Sequence, residues 1–135
     1  MVKQSRYYAA PDTIKSPAGQ MPESVWAIPS QPIIVPERLG ALHFAAFPTE
    51  LPRRCILGWS PPGGVVLDPF GGTGTTALVA DVLGRIGITV DRSGDYCGLA
   101  KWRTSDPGER ARAIGVPKPP PVPEGQASLF DLEAS

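Results

Sequence analysis

The 135-residue sequence offers little for metal or thiol chemistry, with one histidine, His43, and two cysteines, Cys55 and Cys97, at no ligand spacing. Nothing suggests a secretory context, so the cysteines are expected to be reduced, partly buried thiols. An excess of charge is missing too. Thirteen basic residues balance thirteen acidic ones, which excludes an overall positive field able to draw the chain onto nucleic acid. Any such contact must come from local patches or from other sequence. No apolar run approaches the ~20 residues that cross a bilayer, and the first residues carry no signal-peptide stretch. The expectation is a soluble, cytoplasmic protein without membrane contact.

What is abundant is proline and glycine, 17 and 15 residues, concentrated toward the two ends. The length allows one modest domain, with ordered packing centred between about Leu39 and Trp102. Three regions follow. Residues 1–38 read as an irregular Pro-rich segment, because its prolines forbid long helices and central strands. Its apolar patch Ser24–Ile28 is expected to dock as a loop, against a sheet edge for instance. Residues 39–104 hold the periodic elements. Residues 105–135, which turn polar and then run through Lys118-Pro119-Pro120-Pro121, read as a flexible, extended tail.

Within the central region, Thr49 is placed to cap a short helix through Leu57, with Pro52 in its first turn and Leu51, Cys55 and Ile56 on one face. Ser60-Pro61-Pro62-Gly63-Gly64 is a turn. Val65-Val66-Leu67 reads as a buried parallel strand ending at Asp68. A glycine-rich loop, Gly71 to Gly74, leads into a helix from Thr75 or Thr76 that stops at a Gly84 C-cap. Ile86 to Asp91 reads as a second buried strand, and Tyr96 to Trp102 as a further helix. Strand, loop, helix and strand make one βαβ unit, which places the chain in the α/β class.

Chemistry concentrates at the carboxyl end of that unit. Asp68-Pro69-Phe70 turning through Gly71-Gly72-Thr73-Gly74 brings backbone N–H groups close to a ligand, and the start of the following helix favours an anionic group there. Asp91, at the tip of the second strand, is spaced to accept hydrogen bonds from ribose hydroxyls. The outline is a nucleoside-binding site. Gly72-Thr73-Gly74-Thr75-Thr76-Ala77 satisfies the dinucleotide spacing, so a nicotinamide cofactor stays open on spacing alone, whereas the Lys-Ser/Thr pair of a Walker phosphate loop is absent.

The whole string Val66-Leu67-Asp68-Pro69-Phe70-Gly71-Gly72-Thr73-Gly74-Thr75-Thr76, with Leu83 to Asp91 and Tyr96 after it, closely resembles the cofactor motifs of the DNA adenine-N6 and cytosine-N4 methyltransferases. His43-Phe44-Ala45-Ala46-Phe47-Pro48-Thr49-Glu50-Leu51, followed by Arg54-Cys55-Ile56, resembles the segment that this family places before the glycine loop. Gly19 to Ile28 resembles the stretch just ahead of it. The resemblance thus runs from about Gly19 to Arg103.

It implies a partial Rossmann-like S-adenosylmethionine-dependent methyltransferase fold, with residues 39–104 as the S-adenosylmethionine-binding βαβ region. Phe47, Pro48 and Thr49 would pack over the methionine end. Asp68, Pro69, Phe70, Gly72, Thr73, Gly74 and Thr75 would form the cradle, and Asp91 would hold the ribose. DNA is the implied substrate. The block order matches the circular arrangement in which the target-base motif and recognition region come first.

That target-base motif, an Asp, Asn or Ser followed by Pro-Pro and an aromatic, orients and stacks the flipped base. The similar string here, Ser60-Pro61-Pro62-Gly63, ends in a residue that cannot stack and reads as a turn. No catalytic residue is therefore assigned. The expectation is a truncated or split form that binds cofactor and relies on a second polypeptide for its base-binding half. Two alternatives stay open: a non-enzymatic cofactor- or clamp-binding module, and a nicotinamide-dinucleotide-binding fragment. The clamp reading rests on Gln126-Ala127-Ser128-Leu129-Phe130, which resembles a bacterial sliding-clamp peptide with Gln126, Leu129 and Phe130 as its anchors. His43 reads as structural, the three tryptophans as core or rim, and Arg53, Arg54 and Arg103 as a solvated face.

Overall fold

The computed structural model describes residues 7–39 and 46–115. Two short 3-10 turns, Pro11–Ile14 and Glu37–Leu39, punctuate an otherwise irregular N-terminal segment. Six regular elements follow: α1 (Glu50–Trp59), β1 (Val65–Asp68), α2 (Thr75–Val82), β2 (Ile86–Thr89), α3 (Gly94–Ser105) and α4 (Pro107–Ala113). The strands pair in parallel, Val65 with Ile86 through Asp68 with Thr89.

The turns that frame the unit follow from its glycines. Pro61 to Gly64 closes with Gly64 N–H donating to the Pro61 carbonyl at 2.9 Å. Pro62 and Gly63 take its two central places, Gly63 at φ +73, so Ser60-Pro61-Pro62-Gly63 is a turn, as its composition predicts. Beyond α2, Gly84 adopts φ +73. Its N–H reaches the Asp81 carbonyl and that of Arg85 the Ala80 carbonyl, the paired bonds of a Schellman stop.

α2 is the spine of the core. Leu78, Val79 and Ala80 are each 0% exposed, and they cluster with Ile56 and Ala113, bordered by the half-buried Val66. Gly87 lets the helix sit directly on β2, since a Cβ there would lie 2.7 Å from Ala77 Cα. Leu78→Ala is expected to destabilise by about 2–5 kcal/mol, the range for deleting a buried leucine side chain. Urea unfolding would measure this, and a loss under ~1 kcal/mol would mean that the site collapses without a cavity.

Several expectations need correcting. The strands are not buried on both faces. Val66 faces α2, but Val65, Leu67, Ile86, Ile88 and Val90 are 45–61% exposed, because α2 covers only one side of a sheet that has two strands among the described residues. On α1 the buried positions are Pro52, Ile56 and Gly58; Leu51 and Cys55 lie on the outer face. Cys55 and Cys97 are both exposed.

The Ser24–Ile28 patch docks on α1 and not on a sheet edge: the Arg54 guanidinium stacks 5.3 Å from the Trp26 ring centroid. The tail predicted from 105 does not begin there, because Pro107–Ala113 is helical and buries Glu109 and Ala113. Asp106 caps that helix through its carboxylate, which accepts from Glu109 N–H at 2.9 Å, and Pro107 fits a first turn. Among the described residues no helix is long and apolar enough to cross a membrane, and no cluster of three metal-ligating side chains occurs.

Candidate cofactor site

The carboxyl end of the two strands gathers most of the residues singled out in the sequence. Asp68 closes β1 and divides its carboxylate between two tasks. One oxygen accepts from Phe70 N–H at 3.1 Å, turning the chain over Pro69. The other accepts from Thr76 Oγ1 at 2.6 Å, fixing the first turn of α2. The Phe70 ring, thrown outward by that turn, is 88% exposed at the rim.

Two glycines of the loop are required by contact. A Cβ on Gly71 would lie 1.4 Å from Thr89 Oγ1, and one on Gly74 would lie 2.5 Å from Ala100 Cβ of α3. The loop is therefore pressed onto the end of β2 on one side and onto α3 on the other. Gly72 and Gly74 have φ of +50 and +75, with Thr73 between them.

Asp91 stands just past β2, after Val90, and is half-buried. It accepts from Gly72 N–H at 2.9 Å and from Ser93 N–H at 2.8 Å. A carboxylate has about four acceptor positions, so two such bonds hold it against the loop and leave capacity for neighbouring hydroxyls. This is a carboxylate locked against Gly72, whose Cβ position is open space, a setting that fits a ribose above a glycine turn.

The upstream block arrives differently from its sequence reading. Thr49 occupies the N-cap position of α1, yet its hydroxyl makes no cap bond to the helix. Both its N–H and its Oγ1 donate to Gln31 Oε1, at 3.0 and 2.8 Å, so a residue of the irregular segment holds the helix start. Glu50, in the first turn, is paired with Arg53 at 2.5 Å and Arg54 at 2.7 Å. The Arg53 hydrogen bond is the main cause that holds the Glu50 carboxyl below its ordinary range, opposed by burial and aided by Arg54. These two arginines are thus half-buried and paired, and do not form a free cationic face. Phe47 is partly exposed and Pro48 half-buried; His43 lies outside the described residues.

Arg103 is the largest departure. Read from sequence as surface, it is 3% exposed. Its Nε donates to Glu109 at 2.9 Å. Its Nη1 donates to the Thr73 carbonyl at 3.3 Å, to Thr73 Oγ1 at 3.1 Å and to Thr75 Oγ1 at 2.8 Å. The hydroxyls of Thr73 and Thr75 therefore face the interior, so whatever these residues offer a ligand comes from their backbone.

Two parallel strands among the described residues, a glycine turn onto a helix and an acid just beyond the second strand define a Rossmann-like α/β protein. The comparisons narrow this to one family. The N6/N4 DNA methylase model matches residues 2–102, and the chain belongs to that family. It is 37% identical over 107 residues to the type II methyltransferase M.SmaI of Serratia marcescens, covering 75% of this chain and 35% of that protein. With M.HinfI of Haemophilus influenzae it shares 40% identity over 85 residues, 60% of this chain and 24% of the relative.

Among solved structures, the PvuII DNA methyltransferase, cytosine-N4-specific, superposes with a TM-score of 0.57 at 26% identity, covering 70% of this chain and 36% of that one. The fold is thus part of the S-adenosylmethionine-dependent methyltransferase fold. The chain spans about a third of the length of the curated relatives it matches.

Proposed function

We propose that this chain is the cofactor-binding portion of a DNA methyltransferase that modifies an exocyclic amino group, adenine N6 or cytosine N4. The observation that carries the reading is Asp91, locked by Gly72 and Ser93 N–H groups beside a loop that Gly71 and Gly74 let pack onto Thr89 and Ala100 and in which Gly72 faces open space. S-adenosylmethionine, when bound, supplies the methyl group from its sulfonium centre. Asp91 accepts from the ribose hydroxyls, the Gly72–Gly74 backbone approaches the methionine portion, and Phe70 borders the ligand from the rim. Phe47, Pro48 and Thr49 close the methionine end, with Gln31 holding Thr49 in place. Asp68 acts through Thr76 and the Phe70 amide as the brace of the turn.

The base-binding residues then come from other sequence, which in the family's block order stands ahead of this third, on a second polypeptide or in a longer chain. The bare apolar face of the sheet supports that reading, since parallel sheets are ordinarily covered on both faces. The clamp-like peptide at Gln126, Leu129 and Phe130 lies outside the described residues; retention on purified sliding clamp, lost on Leu129→Ala with Phe130→Ala, is its test.

Calorimetric titration with S-adenosylmethionine and, separately, NAD is the direct test of the cofactor. Saturable binding of S-adenosylmethionine is expected, weakened at least about tenfold by Asp91→Asn, which keeps the size and one oxygen while removing the charge. Preference for NAD, or indifference to the substitution, would overturn the assignment.

A further inference from the structure

We infer that Arg103 is a positioning residue for the cofactor turn: it fixes the backbone of Thr73 from beneath, so that the Gly72–Gly74 stretch presents one conformation to the ligand. The inference rests on the proposed cofactor site and adds to it a residue outside the glycine motif.

The need for such a device follows from the loop itself. Thr73 stands between two glycines at positive φ, and glycine is the residue with the most backbone freedom to lose. Nothing intrinsic to Gly-Thr-Gly selects a single shape. Asp91 holds the Gly72 amide and the Gly71 carbonyl holds that of Gly74; Arg103 adds the anchor at Thr73 between them, because one Nη1 meets three oxygens of the loop and its helix start, two on Thr73 and one on Thr75.

The guanidinium is held in turn by Glu109, whose helix α4 is set by the Asp106 cap. Its plane is thus fixed from the side opposite the loop. Arg103 also borders the narrow gap shared by Phe47, Thr49 and Gln31, so one buried cation stands behind both segments assigned to the cofactor. A lysine would retain a charge for Glu109 but not the planar fork that spans acid and loop together.

The experiment is amide hydrogen exchange by NMR on the full chain, with S-adenosylmethionine titration alongside. In Arg103→Lys, exchange at Thr73 and Gly74 is expected to accelerate about tenfold, beyond any change at Leu78–Ala80, as local loosening requires. Cofactor affinity falls about tenfold with it. Thr75→Val removes one acceptor and leaves the ion pair intact, so it shifts the same amides in the same direction by less. It also carries the test if Arg103→Lys does not fold.

Loop amides that move only in step with the rest of the chain, in both variants, would make Arg103 a purely structural residue and overturn the inference. Failure of the wild-type chain to bind S-adenosylmethionine would overturn the cofactor assignment instead. The exchange data would then still decide what Arg103 does to the loop.

Discussion

Glu109→Ala is expected to destabilise the chain by about 3–5 kcal/mol, the cost of leaving a buried guanidinium without its counter-charge. Arg103 is 3% exposed, and its other acceptors are a carbonyl and two hydroxyls, none of which carries charge. Such a loss is a large share of the ~5–15 kcal/mol that holds an ordinary domain together. Replacing both partners with apolar residues of similar size, Arg103→Met with Glu109→Leu, is expected to cost less. No charge is then stranded, and the Thr73 and Thr75 hydroxyls already stand 3.4 Å apart, close enough to bond each other. The Thr73 carbonyl alone loses its donor, at about 1–3 kcal/mol. Urea denaturation followed by circular dichroism gives the order: wild type most stable, then the double variant, then Glu109→Ala. A single variant within ~0.5 kcal/mol of wild type would show that water reaches the pair. The double variant also separates stability from loop geometry, since it restores the first without restoring the fork beneath Thr73.

The parts of this fold legible in the sequence are those specified by neighbours in the chain. The Pro62-Gly63 turn, the short Val65-Val66-Leu67 run and the Gly84 stop each rest on a local backbone requirement, and each stands where the pattern places it. The α4 helix was legible as well: Asp106-Pro107-Gly108-Glu109 combines a capping aspartate, a first-turn proline and an acid three residues after the cap. The polar character of the stretch, read as the start of a tail, outweighed that start signal.

Other features have no local signal. Thr49 finds Gln31 eighteen positions earlier, and Arg103 reaches Thr73 thirty positions back. Nothing in the composition near either residue announces a partner that only the packing of α3 and the N-terminal segment brings close. The bare sheet face is a third kind of miss. The continuous Val65-Val66-Leu67 run has the pattern of a strand covered on both sides, and the cover of the second face is not among the described residues.

Replacing Gly74 by alanine should cost about 2–4 kcal/mol, whereas the same change at Gly72 should cost only ~1 kcal/mol, although both lie in the cofactor loop at positive φ. The backbone term is common to the two, since an L-residue in the left-handed region pays roughly 1–2 kcal/mol. Space separates them. A Cβ on Gly74 would stand 2.5 Å from Ala100 Cβ and 2.9 Å from Ala100 Cα, whereas one on Gly72 would meet nothing within 4 Å. Ala100 is buried on α3, three residues before Arg103, so the clash can be relieved only by moving the helix that carries the guanidinium. Thermal or urea unfolding of the two variants gives the comparison. Gly74→Ala should also lose S-adenosylmethionine binding in conditions where it remains folded, because α3 and the loop shift together. Gly72→Ala should bind weakly for a different reason: its methyl group projects into open space that the proposed ligand would occupy. Equal stability of the two variants would mean that α3 yields to the extra methyl at little cost, and that the Gly74–Ala100 contact does not set the distance between helix and loop.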